Sequence, residues 1–276
     1  MPIYYYPGSI LDVELAPQGV TRRFVVVRAL TPFTVAQILI VRENVGNHCG
    51  QEILMKVYDP RFMKDRSAPW TPELEAQGAE SRKDWRMPAV LTPYDVPSSA
   101  ERQTPLKKEN YIFFHALFHC YNEARAYTLL KPLQGQGIPM FFGYGKLTSA
   151  TMRADPAPRY INPSVLLIEY IPNALTLNDV DPAMLRPDLI RSLLDTVDSL
   201  QKFYVIHADP HAGNYLFTPN RAVIIDFGTA FFKEAGETEE EWMSGVECQG
   251  DSRWARKLVA FKLGVESLDD YLKATA

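Results

Sequence analysis

The stretch that most constrains this chain is Val205–Ala230, which reads VIHADPHAGNYLFTPNRAVIIDFGTA. Two short apolar runs, Tyr215–Phe217 and Ala222–Ile225, predict short strands. Around them lie polar turns carrying His207, Asp209, Asn214 and Asp226. Directly upstream, Pro187–Tyr204 sets Leu189, Leu193, Leu194, Val197 and Leu200 on one face of an amphipathic helix. A helix therefore delivers the chain to a pair of turns on which carboxylates and a carboxamide are gathered.

The first 58 residues read differently. Ile10–Leu15, Arg23–Leu30, Val35–Arg42 and Glu52–Tyr58 are short runs rich in Val, Ile and Leu, broken at Thr31-Pro32 and at GNHCG. Strands turning back on one another in an antiparallel meander are expected. Residues 59–108 then become rich in Pro, Ser, Ala and charge, an excursion too long for a plain connector, with a short helix at Pro72–Gln77 that Gly78 would end. Helical spacing returns from Glu109 to Leu130 through Ile112, Leu117, Tyr121, Ala124 and Tyr127, and Lys131-Pro132 stops it. Strands follow at Met140–Gly145 and Val165–Ile171; the tail is acidic over Gly236–Glu241, a solvated face or loop, and helical from Asp251. Strands, a helix, strands and a mainly helical second half define an α+β chain.

Hard oxygen donors on neighbouring turns suit magnesium, which takes one or two carboxylates and fills its octahedron with phosphates and water. A further carboxylate, Asp209, precedes the Asn and is placed to orient or deprotonate a hydroxyl. His207-x-Asp209-x4-Asn214 followed by Asp226-Phe227-Gly228 resembles the catalytic loop and metal-binding turn of the protein-kinase-like superfamily. The resemblance implies Asp209 as catalytic base, Asn214 and Asp226 as magnesium ligands, and His207 as the loop's structural histidine. It also implies ATP as the nucleotide, a strand lysine for its phosphates and a helix glutamate to brace that lysine. Lys56 in EILMKVY and Glu123 in CYNEARAYTLL fit those two places, Glu123 in preference to Glu109; a lysine on an exposed edge strand is the rival reading. LLIEYI (Leu166–Ile171) resembles the strand leading to the hinge, with the Glu169 carbonyl and the Ile171 amide as adenine partners, since Pro172 has no N–H.

The implied fold is a single two-lobed kinase-like domain over 1–276. An N-terminal antiparallel sheet plus helix (1–168, including a 59–108 insertion) precedes a short, mainly helical C-terminal lobe (169–276). Three departures qualify it. The segment corresponding to the family's G-x-G-x-x-G loop, Ala29–Ala36, has no glycine, and Pro32 removes a donor, leaving the Thr31 and Thr34 hydroxyls as substitutes. Only about fifty residues follow the DFG turn, without an A-P-E sequence. Within them Asp251 is either an anchor for the catalytic-loop backbone or a helix N-cap. Third, His211 stands where protein kinases carry lysine, and D-x-H-x-G-N is similar to small-molecule phosphotransferases of the aminoglycoside and choline type. A small-molecule hydroxyl acceptor is thus favoured over a protein, with a pseudokinase scaffold as the alternative.

A net charge of −4 leaves no basic footprint for nucleic acid. No run approaches the roughly 20 apolar residues of a membrane span, no signal peptide is evident, and three scattered cysteines suggest no disulfide framework, so a cytoplasmic setting is expected. His115 and His119 share a metalloprotease-like spacing without the intervening Glu and are read as helix packing; Tyr4–Tyr6 is read as core or edge packing.

Overall fold

The computed structural model describes residues 5–31, 35–45, 48–64, 69–86, 104–151 and 161–275. The chain divides into two compact units, Met1–Ala124 with Phe142–Tyr170, and Arg125–Phe141 with Ile171–Ala276.

The first unit is built on strands β1 (Ile10–Leu15), β2 (Val20–Leu30), β3 (Gln37–Val45) and β4 (His48–Tyr58), then helices α1 (Pro72–Ser81) and α2 (Pro105–Leu129), then β5 (Phe141–Thr151) and β6 (Ser164–Glu169). β1 to β4 form the expected meander, but β1 also pairs antiparallel with β5. This closes a six-stranded barrel in the order β1-β2-β3-β4-β6-β5. Closure needs a close approach at Gly145, where a Cβ would lie 2.1 Å from the Glu14 carbonyl oxygen. Strand alternation turns Leu11, Val13, Phe24, Val26, Leu39, Val41, Met55 and Val57 inward, joined by Leu147, Val165 and Leu167. Each such side chain contributes about 1.5–3 kcal/mol on burial. β4 lies between β3 and β6, so Lys56 is not on an edge strand.

Part of the long excursion packs as ordered structure. Asp59 accepts from the Tyr5 hydroxyl at 2.8 Å and from the buried Arg61 guanidinium at 2.8 Å, while Arg61 stacks over Phe62 and Trp70. Tyr5 is thus a core residue and Tyr6 is exposed; Tyr4, like residues 65–68 and 87–103, lies outside the described residues. Thr71 caps α1 by accepting from the Leu74 amide at 3.2 Å. The helix runs through Gly78 to Ser81 rather than ending there. That glycine gives room for tertiary contact, since a Cβ would meet Arg82 at 2.9 Å and the Glu109 side chain of α2 at 3.1 Å. Arg82 stacks on Phe113 at 4.0 Å, and burial lowers its pKa to about 10 against the pull of Glu109 and Glu75. On α2 the expected Ile112, Ala124 and Tyr127 are buried together with Ala116, Cys120 and Glu123, whereas the expected Leu117 and Tyr121 are only half-buried. Burial pushes the Cys120 thiol pKa upward, with Glu123 adding to it.

The second unit contains β7 (Leu175–Thr176), α3 (Pro187–Leu200), β8 (Val205–Ile206), β9 (Tyr215–Thr218), β10 (Arg221–Ile224), β11 (Phe231–Phe232), α4 (Glu239–Gln249), α5 (Asp251–Leu263) and α6 (Leu268–Ala274). β7, β9 and β10 form one small antiparallel sheet and β8 with β11 another. α3 buries Leu189, Ile190, Leu193, Leu194, Val197 and Leu200, and the turn after it closes on Tyr204 at φ 57°. The Arg125–Phe141 segment is tied in by the Ile224 amide, which donates to the Gly137 carbonyl at 2.8 Å. Of the two readings of the acidic run, α4 makes it a solvated helix face: Glu239, Glu240 and Glu241 are exposed in its first turn. Thr238 and Glu241 form a capping box, and the three glutamates of its first turn favour the positive end of the helix dipole.

Candidate active site

In the second unit, the two motif turns are joined through one residue. The Ile225 amide donates to the Asn214 carbonyl at 3.0 Å, and the Ile225 carbonyl faces His207 Nε2 at 2.8 Å. His207 Nδ1 accepts from the Asp209 amide at 3.2 Å, which assigns the ring proton to Nε2. His207 is 3% exposed and its ring packs edge-on against Phe227 at 4.9 Å. Phe227 is fully buried and also touches Tyr127, itself stacked on Phe141. Asp226 stands at φ 68° and Ala208 at φ 60°. A non-glycine residue pays about 1–2 kcal/mol there, with aspartate more tolerant than alanine, so both turns need external support.

Asp251 supplies that support. Its carboxylate accepts from the His207 amide at 2.7 Å and from the Ala208 amide at 3.2 Å. Of the two readings of this residue, the anchor describes its side chain: α5 begins at Asp251, its N-cap is Gly250, and no side-chain cap bond is made.

Asp209 is held from several sides. Its carbonyl accepts from the His211 amide at 2.9 Å and from Asn214 Nδ2 at 3.0 Å. Its Oδ2 accepts from Asn214 Nδ2 at 3.2 Å and faces His211 Nε2 at 3.4 Å. His211 Nδ1 accepts from the Gly213 amide at 3.0 Å, capping the short turn Ala212–Asn214, so the His211 proton sits on Nε2 toward the carboxylate. Oδ1 of Asp209 is left as an acceptor without a partner among the described residues. Tyr215 behind the turn has its phenol pKa raised by burial and by the Asp251 and Asp209 carboxylates, which keeps it neutral. His211 was noticed in the sequence only as a departure from lysine; its contact with Asp209 needed coordinates.

With its Nδ2 committed to Asp209, Asn214 presents Oδ1 as the remaining acceptor, and the Asp226 carboxylate follows the residue that stitches the two turns. This is a hard-oxygen pair of the kind magnesium takes, with phosphates and water completing its shell. Among the described residues no group of three or more His, Cys, Asp or Glu side chains is arranged to hold a metal. His115 and His119 of α2 face each other at 3.1 Å, with Tyr111 stacked on His115.

In the first unit, Lys56 of β4 meets Glu123 of α2. Nζ lies 2.9 and 2.8 Å from the two carboxylate oxygens, with Lys56 8% and Glu123 0% exposed. Tyr58 donates to Glu123 Oε2 at 2.5 Å. Sequence reasoning missed Tyr58, although strand periodicity holds the signal: Tyr58 is two residues beyond Lys56 and shares its face. Glu109 instead sits near Arg82. Glu169 closes β6 opposite Ile53, and Ile171 follows outside any strand. Of the segment Ala29–Ala36, Ala29 and Leu30 finish β2, whereas Pro32 and Thr34 lie outside the described residues.

Residues 118–235 match the model of the APH phosphotransferase enzyme family, which belongs to the protein-kinase-like superfamily. Over this segment the chain is similar to that superfamily. A search of curated proteins returned no match. The phosphotransferase match takes in Glu123, Glu169, Ile171 and both motif turns, while Lys56 and the first four barrel strands precede it. The mixed α and β structure is compatible with a kinase-like fold; the closed barrel is the feature that a simple N-terminal sheet did not anticipate.

Proposed function

We propose that the protein transfers the γ-phosphoryl group of ATP to a hydroxyl of a small molecule, with magnesium as cofactor. The reading is carried by Asp209, whose Oδ2 is occupied by Asn214 and His211 while Oδ1 stays open as a proton acceptor. In the proposed step Oδ1 takes the hydroxyl proton as the hydroxyl oxygen bonds to phosphorus. The bond to the bridging oxygen breaks, and its electron pair leaves on ADP. Asn214 and Asp226 would hold the magnesium, which when bound neutralises charge on the phosphate oxygens. Lys56, aimed by Glu123, which Tyr58 holds in turn, would contact the α and β phosphates. The Glu169 carbonyl and Ile171 amide are proposed for the adenine edge. The D-x-H-x-G-N sequence favours a small acceptor over a protein.

The test is ADP release from Mg-ATP across a panel of hydroxylated amines and sugars. Asp209→Asn should lower turnover by about 10²–10⁴ at unchanged melting temperature. Full activity in that variant would remove Asp209 as the base. The absence of glycine in Ala29–Ala36 supports a second reading, a catalytically weak pseudokinase that serves as a binding or scaffold module. Magnesium-dependent stabilisation by ATP together with ADP release favours the enzyme; failure of ATP to raise the melting temperature at all favours the scaffold.

A further inference from the structure

A cavity of about 380 Å³ in the first unit forms between the turn that follows α1, one face of α2 and the neighbouring parts of β5 and β6. That volume is within the roughly 300–1,000 Å³ of small-molecule sites. Tyr58 and Ala116 close its floor and are buried, so they shape the cavity without offering surface. The surface on offer comes from Trp85, Phe113, Leu117 and Ile161, all of them half-buried. Phe113 carries the Arg82 guanidinium over its ring at 4.0 Å, and Trp85 meets Phe113 and Phe114 edge-on at 6.5 and 5.1 Å. These contacts fix two aromatic rings in the cavity wall.

The charged groups of the wall are Arg86 and Lys146, both exposed, and no carboxylate lines it among the described residues. Asn162 and Ser164 add only uncharged polar groups. Arg86 donates Nη1 to the Lys83 and Trp85 carbonyls at 3.0 Å each, which holds it beside the tryptophan and leaves Nε and Nη2 for other acceptors. Glu14 stands opposite Lys146 across the β1–β5 seam, and Asp84 lies two residues before Arg86. Neither of these carboxylates lines the cavity, and among the described residues neither cation forms an ion pair. Aromatic rings beside two unmatched cations suit a flat ring system bearing one acid group.

We propose that this cavity binds an aromatic acid, its ring system against Trp85 and Phe113 and its anionic group toward Arg86 and Lys146. Binding needs no turnover, so its measurement is independent of phosphoryl transfer. Isothermal titration of the full chain with 2-naphthoate, 2-naphthalenemethanol and 2-naphthylmethylammonium tests it. 2-Naphthoate should bind once per chain, with the alcohol at least fivefold weaker and the ammonium weaker still. Arg86→Gln with Lys146→Gln, two exposed positions, should weaken 2-naphthoate at least fivefold and leave the alcohol within twofold. Trp85→Leu keeps the apolar bulk but removes the ring, and should weaken acid and alcohol alike by at least threefold. No saturable binding of 2-naphthoate, equal binding of the alcohol, or indifference to the double substitution overturns the site; an acid held at another cation, Lys56 included, would give that last result. Acid binding undiminished in Trp85→Leu overturns the placement of the ring.

Discussion

The ion pair of Lys56 and Glu123 concentrates the residue-scale energetics of the first unit. Both ends are withdrawn from water, so each charge leans on the other. Glu123→Ala should cost about 3–5 kcal/mol, read from urea denaturation, because it takes a carboxylate partner from a buried ammonium. Tyr58→Phe removes one hydrogen bond to a carboxylate and should cost about 1.5–3 kcal/mol. If Glu123→Ala proved neutral, the pair would have to be open to solvent. The lysine and the glutamate were both legible as candidates, one in an apolar strand and one in mid-helix. Their meeting was implied only by resemblance, since no local rule links positions 67 residues apart. Tyr58 could have been read from strand periodicity once Lys56 was chosen.

At the scale of elements, the barrel shows where short-range pattern stops. Alternation in Ile10–Leu15 predicts β1 with the observed bounds, but the partner that closes the barrel, β5, is more than a hundred residues away. At Gly145 the two backbones approach so closely that a Cβ would lie 2.1 Å from the Glu14 carbonyl oxygen. Gly145→Ala would push a methyl into the Glu14 carbonyl and should destabilise by about 1–3 kcal/mol in thermal melts. An unchanged melting temperature would show that this seam relaxes readily. Gln37, at the start of β3, is 2% exposed, and among the described residues neither its Nε2 nor its Oε1 has a hydrogen-bond partner. Burying such an amide costs about 1–3 kcal/mol, so Gln37→Met should stabilise the protein by about that much. A destabilised variant would mean that the amide is satisfied in solution. Helix α4 was missed for a different reason. Three consecutive glutamates read as a solvated face or loop without a helix being placed there, although Thr238 and Glu241 already had the spacing of a capping box.

Across the whole molecule, surface charge pairs should set the acid limit. Hydrogen bonding from Arg23 lowers the Asp12 carboxyl pKa, Arg22 does the same for Glu43, and Arg186 holds Asp188 at about 2. A carboxyl whose folded pKa is depressed contributes stability that is fully present above its unfolded value, near 3.8 for Asp and 4.5 for Glu. That contribution is lost as pH falls through the folded value. Denaturation midpoints should therefore change little from these groups between about pH 8 and 6 and fall below about pH 4.5. Arg22→Gln with Arg23→Gln should flatten that fall, and raised salt should do so in part. An identical acid slope in the double variant would assign the loss to other groups.

The sequence alone determined the local chemistry of the two motif turns, because their bonds are short in chain. His211 caps Gly213 two residues on, Asn214 reaches back five residues to Asp209, and φ/ψ preferences of a few residues suffice to make such contacts. Tertiary structure decided what stands behind those turns. Asp251 reaches the His207 amide across 44 residues, Ile225 stitches the two motifs, and β5 closes the barrel on β1. Contacts of that reach exist only after the chain entropy between their ends has been overcome by burial elsewhere, so no local pattern could have specified them.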